Sequence, residues 1–163
     1  TMPGLPKVPS AEKIDVDGNG VIHGLFDATV CFSLGAGHRK IAAKLAEKLK
    51  GGEVIAFTGP MGMGKTAFTR GLVLALGGGD VVSSPTFALV NEYDARLTVQ
   101  HFDMYRVSGW DDLYPGFFDY LDTDNVLVIE WSENIDGALP ENTIYVHMEK
   151  GETETERIVT IEA

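Results

Sequence analysis

The sequence predicts a single α/β domain with a mostly parallel central sheet, flanking helices and added antiparallel strands. Three observations lead to this prediction. A short apolar strand, a glycine-rich loop and an amphipathic helix follow one another over residues 53–76. The run Val126–Ile129 contains only apolar residues, as a strand covered on both faces requires. Two segments of alternating polarity, 143–148 and 157–161, close the chain and are typical of antiparallel strands.

Length and composition fit one domain. A chain of 163 residues with 44% hydrophobic and 23% charged residues can bury a substantial core. Residues 1–13 hold three prolines and little periodicity, so we expect residues 1–24 to form a loose N-terminal arm. The remaining residues, 25–163, are expected to form the domain itself.

One strand and one helix are predicted ahead of the glycine-rich loop. Residues 25–33 are apolar and rich in β-formers, which favours a strand. Over residues 37–50 apolar side chains recur at helical spacing, so we predict an amphipathic helix there. Two glycines, Gly51 and Gly52, follow it and are expected to end it.

The glycine-rich loop from Gly59 to Thr66 matches the phosphate-binding pattern G-x-x-x-x-G-K-[ST] at every fixed position. Strand 53–58 leads into it and helix 67–76 follows it, which is the order that the motif requires. Glycines let consecutive backbone N–H groups close around a polyphosphate, and the helix N-terminus adds the positive end of its dipole. These features predict a P-loop NTPase-like domain that binds a nucleoside triphosphate.

Two side chains of the loop have defined chemistry. Lys65 can reach the β- and γ-phosphates, and the Thr66 hydroxyl can ligate Mg²⁺. The nucleotide-binding candidates are Gly59, Met61, Gly62, Met63, Gly64, Lys65, Thr66 and Ala67.

Two acidic residues follow predicted strands later in the chain. After a strand at 87–93, the strand at 97–102 is followed by Asp103, and the apolar run 126–129 is followed by Glu130. In open parallel sheets ligands bind beyond the carboxyl ends of strands, where the P-loop also lies. An acid there can hold Mg²⁺ or orient an attacking water. On pattern alone both acids compete for the Walker-B role, although Glu130 follows the purer apolar run.

Two weaker features lie between these strands. Ser84-Pro85-Thr86 stands where nucleotide-sensing switch segments often run, and its hydroxyls can meet Mg²⁺ or the γ-phosphate. The alternative for this segment is an ordinary strand-entry turn. An acidic, aromatic-rich helix or turn is predicted over about residues 110–121.

The charge of the chain restricts its partners. A formal net charge of −11 repels nucleic acid phosphates and cannot supply the counterion release that drives binding to them. If the protein serves nucleic acid metabolism, we expect another subunit to hold the nucleic acid.

No pattern in the sequence indicates a membrane or a secretory protein. No apolar run approaches the ~20 residues that span a bilayer, and residues 1–10 lack the basic-then-apolar pattern of a secretory signal. The single cysteine, Cys31, excludes an internal disulfide and has no metal-ligand spacing around it. We therefore expect a cytoplasmic protein.

Four motifs together resemble the bacterial TsaE family, also called YjeE. In order and spacing they are Gly59–Thr66, Ser84-Pro85-Thr86-Phe87 with Val90, His101–Arg106, and Ile129-Glu130-Trp131. The resemblance covers about residues 30–162, and the combination is specific where one motif would not be. The family is a small P-loop ATPase. It works with TsaB and TsaD subunits to make threonylcarbamoyladenosine beside the anticodon of tRNAs that read codons starting with adenosine.

The resemblance implies roles that the residues alone leave open. Thr66 and Glu130 would ligate Mg²⁺, and Asp103 would be the Walker-B-like acid needed to hydrolyse ATP to ADP and phosphate. With Lys65 on the phosphates, the expected catalytic residues are Lys65, Asp103 and Glu130. Contact with tRNA would be indirect, through the complex.

The resemblance also implies residues at the edge of the site, and one departure from it concerns the helix before the P-loop strand. Ser84 and Thr86 would form the switch-like segment. The signature residues near the site or the partner surface would be Tyr105, Arg106 and Trp131. The family usually has a threonine in the first turn of the helix before the P-loop strand, whereas this chain has His38-Arg39. Base contacts are therefore expected to differ.

Two other function classes share the P-loop. A small-molecule kinase needs an acceptor site and usually an arginine-bearing lid, but no lid-like basic insertion follows the loop. A nucleotide-sensing module without turnover needs only one metal support, and two strand-end acids argue against it. Phosphate transfer to an acceptor distinguishes the kinase from an ATPase.

Overall fold

The computed structural model describes residues 28–33, 36–83, 90–104, 123–133, 137 and 139–162. Within these ranges the chain forms seven strands and two helices. In chain order they are β1 (Ala28–Ser33), α1 (Ala36–Ala46), β2 (Val54–Thr58), α2 (Lys65–Ala75), β3 (Val90–Tyr93), β4 (Thr98–Asp103), β5 (Asn125–Glu130), β6 (Ile144–Lys150) and β7 (Glu156–Glu162).

All seven strands belong to one sheet, in the order β1-β7-β6-β2-β5-β4-β3. The four central strands β6, β2, β5 and β4 are mutually parallel. The outer strands β7, β1 and β3 are added in antiparallel pairings. The sheet confirms the predicted α/β class, with its parallel centre and added antiparallel strands.

The main core lies between the sheet and the two helices. Strand side chains alternate between faces, so Phe57 of β2 points toward the helices. Its ring meets that of Phe68 in α2 edge to face, with centroids 5.4 Å apart. Leu45 of α1 and Leu72 of α2 are buried in the same cluster. Both helices therefore cover one face of the sheet, on the side where the glycine-rich loop begins.

A smaller apolar cluster lies on the opposite face of the sheet. Its buried members are Val54, Phe102, Met104, Leu127 and Ile129. Because neighbours in a strand alternate, the residues that flank these members point toward the helices instead. Asp103 and Glu130 are such neighbours, and the pleat places both on the helix-covered face.

Helix α1 ends earlier than predicted, at Ala46 rather than at residue 50. The chain tightens beyond it, because Lys48 N–H bonds Leu45 O and Leu49 N–H bonds Ala46 O, each three residues back. The Glu53 carboxylate accepts the N–H groups of Lys50 and Gly51 at 2.8 and 2.7 Å, which fixes the turn. Local hydrogen bonds thus end the helix before the glycines do.

The predicted arm at 1–24 and the predicted helix or turn at 110–121 lie outside the described residues. In the part of the chain that the structure describes, no helix combines the length and apolar character needed to cross a membrane.

Candidate functional site

The glycine-rich loop leaves the carboxyl end of β2, in the middle of the parallel strands, and enters α2. Gly59, Gly62 and Gly64 all have positive φ, at 117°, 82° and 102°. A Cβ at Gly59 would lie 2.0 Å from the Met148 carbonyl oxygen. One at Gly64 would lie 2.2 Å from Nε2 of His38. Both conformation and space therefore require glycine at these two positions.

Two features of the loop are typical of an anion-binding site. A Cβ built at Gly62 would meet no atom within 4 Å, so the loop is open there. In α2 the backbone N–H of Phe68 donates to Gly64 O at 2.8 Å, as in an ordinary helical turn. The N–H groups of the first turn, which come before it, have no partner carbonyl within the helix. Such N–H groups at a helix N-terminus form an anion-binding site. The predicted nucleotide-binding residues thus form one loop and the first turn of α2, and this segment is the cradle of the candidate site.

Lys65 is buried at the base of this cradle. Its Nζ donates to Gly59 O at 2.5 Å and lies 4.4 Å from the ring centroid of Trp131. Burial lowers the pKa of the Lys65 ammonium from its ordinary value. The carboxylates of Glu133, Glu130 and Asp103 oppose that shift. The lysine is therefore held between a carbonyl, an aromatic face and a group of acids.

Trp131 adopts an uncommon backbone conformation to make this contact. Its φ is 59°, and among the described non-glycine residues it alone has a positive φ. Non-glycine residues in this region cost free energy and cluster at functional sites. Next to it, the Ser132 hydroxyl donates to Phe57 O at 2.9 Å and ties the turn to β2. The predicted signature residue Trp131 thus lies at the site, against Lys65.

Asp103 and Glu130 are the last residues of two adjacent parallel strands. They are Cα partners in the register of β4 and β5. Both are buried, with 9% and 7% of their surfaces exposed. Partners in register point to the same face, and here that is the face that carries α2 and the loop. The structure therefore brings together the two acids that the sequence pattern could not rank.

Glu130 is held by His101, which begins one of the family motifs but had no role predicted from the sequence. His101 Nε2 lies 2.5 Å from Glu130 Oε2, and the imidazole is fully buried. His101 stands two residues before Asp103 in β4, so both point to the same face. That two-residue spacing in a strand was the available signal.

A second histidine, in helix α1, is hydrogen-bonded to the glycine-rich loop. His38 of α1 is buried, and its Nε2 donates to Met63 O at 3.2 Å. Burial lowers the pKa of this imidazole from its ordinary value, and the nearby Arg157 cation lowers it further. The bond to Met63 acts in the opposite direction. His38, which the sequence marked as a departure from the family, therefore contacts the loop itself.

Thr66 is the second residue of α2 and is partly exposed. Among the described residues no group of three or more His, Cys, Asp and Glu could hold a metal ion. The donors nevertheless fit Mg²⁺, which usually takes one or two protein oxygens and completes its shell with phosphate and water. The Thr66 hydroxyl and the Glu130 carboxylate would be those oxygens.

Four predicted site residues lie outside the described residues: Ser84, Thr86, Tyr105 and Arg106. Their roles stay predictions.

Comparison with known proteins gives consistent results. The family model described as "Threonylcarbamoyl adenosine biosynthesis protein TsaE" matches residues 35–159. The TsaE protein of Haemophilus influenzae is 41% identical over 98 residues, which span 59% of this chain and 62% of that relative. The TsaE protein of Bacillus subtilis is 34% identical over 127 residues, which span 77% and 78%. The crystal structure of Bacillus subtilis YdiB superposes with a TM-score of 0.64 at 25% identity, covering 82% of this chain and 84% of that one.

Proposed function

The chain belongs to the TsaE family, and from this premise we propose that it is a Mg²⁺-dependent ATPase subunit that hydrolyses ATP to ADP and phosphate. We propose that it works with TsaB and TsaD subunits in forming threonylcarbamoyladenosine on tRNA. Hydrolysis would drive or reset the complex and would not modify tRNA directly.

One observation carries the proposal of hydrolysis. Asp103 and Glu130 end adjacent strands in register, on the face of the sheet that carries the phosphate-binding loop. A protein that only binds a nucleotide needs one metal support. Two buried carboxylates beside the loop allow a division of work, in which one holds the metal and the other orients water.

Each residue then has a defined task. Lys65 exchanges the Gly59 carbonyl for phosphate oxygens. The burial of its ammonium favours this exchange, because a hydrogen bond to a charged oxygen is stronger than one to a neutral carbonyl. Thr66 and Glu130 hold Mg²⁺, which when bound neutralises charge on the β- and γ-phosphates. Asp103 orients the attacking water and accepts its proton.

Fast hydrolysis also requires a cation on the developing charge of the γ-phosphate. Three of the described arginines follow the loop, and each donates to a backbone carbonyl. Arg70 bonds Val82 O at 3.0 Å, Arg96 bonds Ala46 O at 3.2 Å, and Arg157 bonds Glu154 O at 2.8 Å. This cation would come instead from Arg106 or from a partner, so we propose that the isolated chain turns over slowly.

The acidic charge supports a division of labour with other subunits. With a net charge of −11, the chain is unsuited to bind tRNA by itself at physiological salt. We propose that TsaB and TsaD hold the tRNA and complete the ATPase site.

The experiment measures ATP turnover by the chain alone and with a purified TsaB–TsaD pair, with ADP, phosphate and any phosphorylated product identified by mass spectrometry. We expect slow release of ADP and phosphate alone and faster release with the pair. Turnover at many per second by the isolated chain would contradict partner dependence. Transfer of the γ-phosphate to a small acceptor would instead identify a kinase.

A further inference from the structure

A line of contacts connects Glu130 to the backbone of Ser83 through two buried side chains. Glu130 Oε2 lies 2.5 Å from Nε2 of His101, and Nδ1 of His101 lies 3.5 Å from the Tyr93 hydroxyl. The Tyr93 hydroxyl in turn contacts the backbone of Ser83. The line runs from β5 through β4 and β3 to the segment that follows α2.

The contact with Glu130 indicates which nitrogen of His101 carries a proton. An ionised carboxylate only accepts hydrogen bonds, so Nε2 of His101 carries the proton that Glu130 accepts. The remaining nitrogen, Nδ1, then faces the Tyr93 hydroxyl. The rings of Tyr93 and His101 also pack against each other, with centroids 6.0 Å apart and planes tilted by 45°. The imidazole is therefore confined on both its nitrogens and its face.

Tyr93 is itself anchored to the main chain. Its hydroxyl accepts the Ser83 N–H at 3.2 Å, and its single hydrogen is shared between the Ser83 carbonyl at 3.0 Å and Nδ1 of His101 at 3.5 Å. The side-chain amide of Asn91 donates to the same hydroxyl at 3.3 Å and to Ser83 O at 3.4 Å. Because the Tyr93 hydroxyl is hydrogen-bonded to both the N–H and the carbonyl of Ser83, the phenol cannot rotate freely. It forms a fixed end for the line of contacts.

We infer that His101 and Tyr93 are positioning residues for the divalent cation. They hold the Glu130 carboxylate in one orientation and couple that orientation to the backbone of Ser83, the residue immediately before the predicted switch-like segment. The inference rests on the proposed role of Glu130 as a metal ligand. It extends that role to residues that act on the metal through Glu130.

The expected loss of metal affinity can be taken from other metal sites in which a side chain hydrogen-bonded to a ligand is removed. Removing a hydrogen-bond partner of a ligating side chain typically costs about 10- to 100-fold in metal affinity. Loss of His101 is expected to fall in this range. Loss of the Tyr93 hydroxyl acts through His101 across a long contact of 3.5 Å, so it is expected to cost roughly two- to threefold, the lower end of what a hydrogen bond contributes.

The test measures Mn²⁺ affinity in the ADP complex of the full chain, with free Mn²⁺ followed by electron paramagnetic resonance. The variants are His101→Leu, His101→Gln and Tyr93→Phe. Binding of ADP without metal is measured beside it by calorimetry. We expect weaker Mn²⁺ binding in all three, least in His101→Gln among the histidine variants, since its amide can still donate to Glu130. Metal-free ADP affinity is expected to stay unchanged, because the hydrogen bonds described for His101 and Tyr93 go to Glu130, Ser83 and Asn91 and not to the loop.

Two controls separate positioning from a structural role. Tyr145→Phe removes a hydroxyl on β6, whose partner Ala56 points to the opposite face of the sheet, and it is expected to leave Mn²⁺ affinity unchanged. Adding Tyr93→Phe to Glu130→Gln is expected to produce no further loss, because the coupled carboxylate is already gone. Thermal unfolding of each variant checks that it is folded.

The outcomes distinguish this inference from the proposed function. If Glu130→Gln weakens Mn²⁺ binding but Tyr93→Phe and the folded His101 variants do not, the positioning role is wrong and the metal assignment stands. If Glu130→Gln itself leaves Mn²⁺ affinity unchanged, both are wrong. Where His101→Leu fails to fold, the isosteric Tyr93→Phe decides.

Discussion

The indole of Trp131 lies over the ammonium of Lys65, with Nζ 4.4 Å from the ring centroid. A buried cation above an indole is stabilised by the ring quadrupole. The same Nζ donates to Gly59 O, so the lysine has two partners that a phosphate would replace. The tryptophan therefore reports on what Lys65 contacts.

Trp131 is expected to give a fluorescence signal for nucleotide binding. When Lys65 moves from the indole and the Gly59 carbonyl toward a phosphate, the surroundings of the ring change. We expect tryptophan emission to change on addition of ADP and this change to be absent in Trp131→Phe. The chain has one other tryptophan, so Trp110→Phe is the matched control and retains the signal. A signal that persists in Trp131→Phe would contradict the account of this contact.

Lys65→Ala is expected to weaken binding of ATP and ADP by roughly 10- to 100-fold. The substitution removes a charge-assisted contact to phosphate, which is worth about 1.5–3 kcal/mol. Calorimetry measures the affinity, and Lys40→Ala on the exposed side of α1 is the control that removes a remote charge. Unchanged affinity in Lys65→Ala would show that the nucleotide binds elsewhere.

The stability of the protein is expected to depend on pH through His38. Because burial lowers the pKa of His38 in the folded chain, the unfolded chain binds the proton first as pH falls below about 6.5. The unfolded state then holds more protons, so stability is fully present above that pH and is lost as pH falls toward the folded pKa. Folded His38 is flanked by the Arg157 cation, which acts in the same direction.

Melting temperatures at several pH values between about 5 and 7.5 test this dependence. His38→Gln keeps a donor for Met63 O but does not titrate, so its melting temperature is expected to fall less steeply below pH 6.5. Equal slopes in the wild type and His38→Gln would remove His38 as the cause.

The strand, loop and helix around Lys65 could be predicted because their signal is local. Glycines, the lysine and the helical periodicity stand within a few residues of one another, so no long-range contact decides their structure. The central sheet was predictable for a related reason, since a short, purely apolar run such as Val126–Ile129 is typical of a strand covered on both faces. The early end of α1 was not predictable, because it depends on the i→i−3 bonds of Lys48 and Leu49 and on a following turn that the Glu53 carboxylate fixes.

The contacts within the site depend on strand order and register, which a single sequence does not encode locally. Placing β5 beside β4, and aligning Asp103 with Glu130, is a property of the folded sheet. His101 became a site residue only through that register, which brings its ring to Glu130. The contact of His38 with the loop likewise requires α1 to lie against α2, across 25 residues of sequence.

Asp103 and Glu130 are expected to have different roles in ATP hydrolysis, Glu130 as a ligand of Mg²⁺ and Asp103 as the general base. Glu130→Gln removes a proposed metal ligand, so the Mg²⁺ concentration needed for half-maximal nucleotide binding is expected to rise. Asp103→Asn keeps the shape of the side chain but removes its basicity, so it is expected to lower turnover and to leave the Mg²⁺ titration unchanged. If the effects of the two substitutions on the Mg²⁺ titration were reversed, the two assignments would have to be exchanged.

The most direct measurement is ATP hydrolysis by Asp103→Asn in the presence of the TsaB–TsaD pair, with Mg²⁺-ATP affinity determined on the same preparation. We predict that turnover falls by at least about 100-fold, the usual contribution of a positioned general base, while affinity stays within about twofold of the wild type. Turnover at the wild-type rate, or a loss of activity matched by an equal loss of affinity, would contradict the role of Asp103 as the general base of hydrolysis.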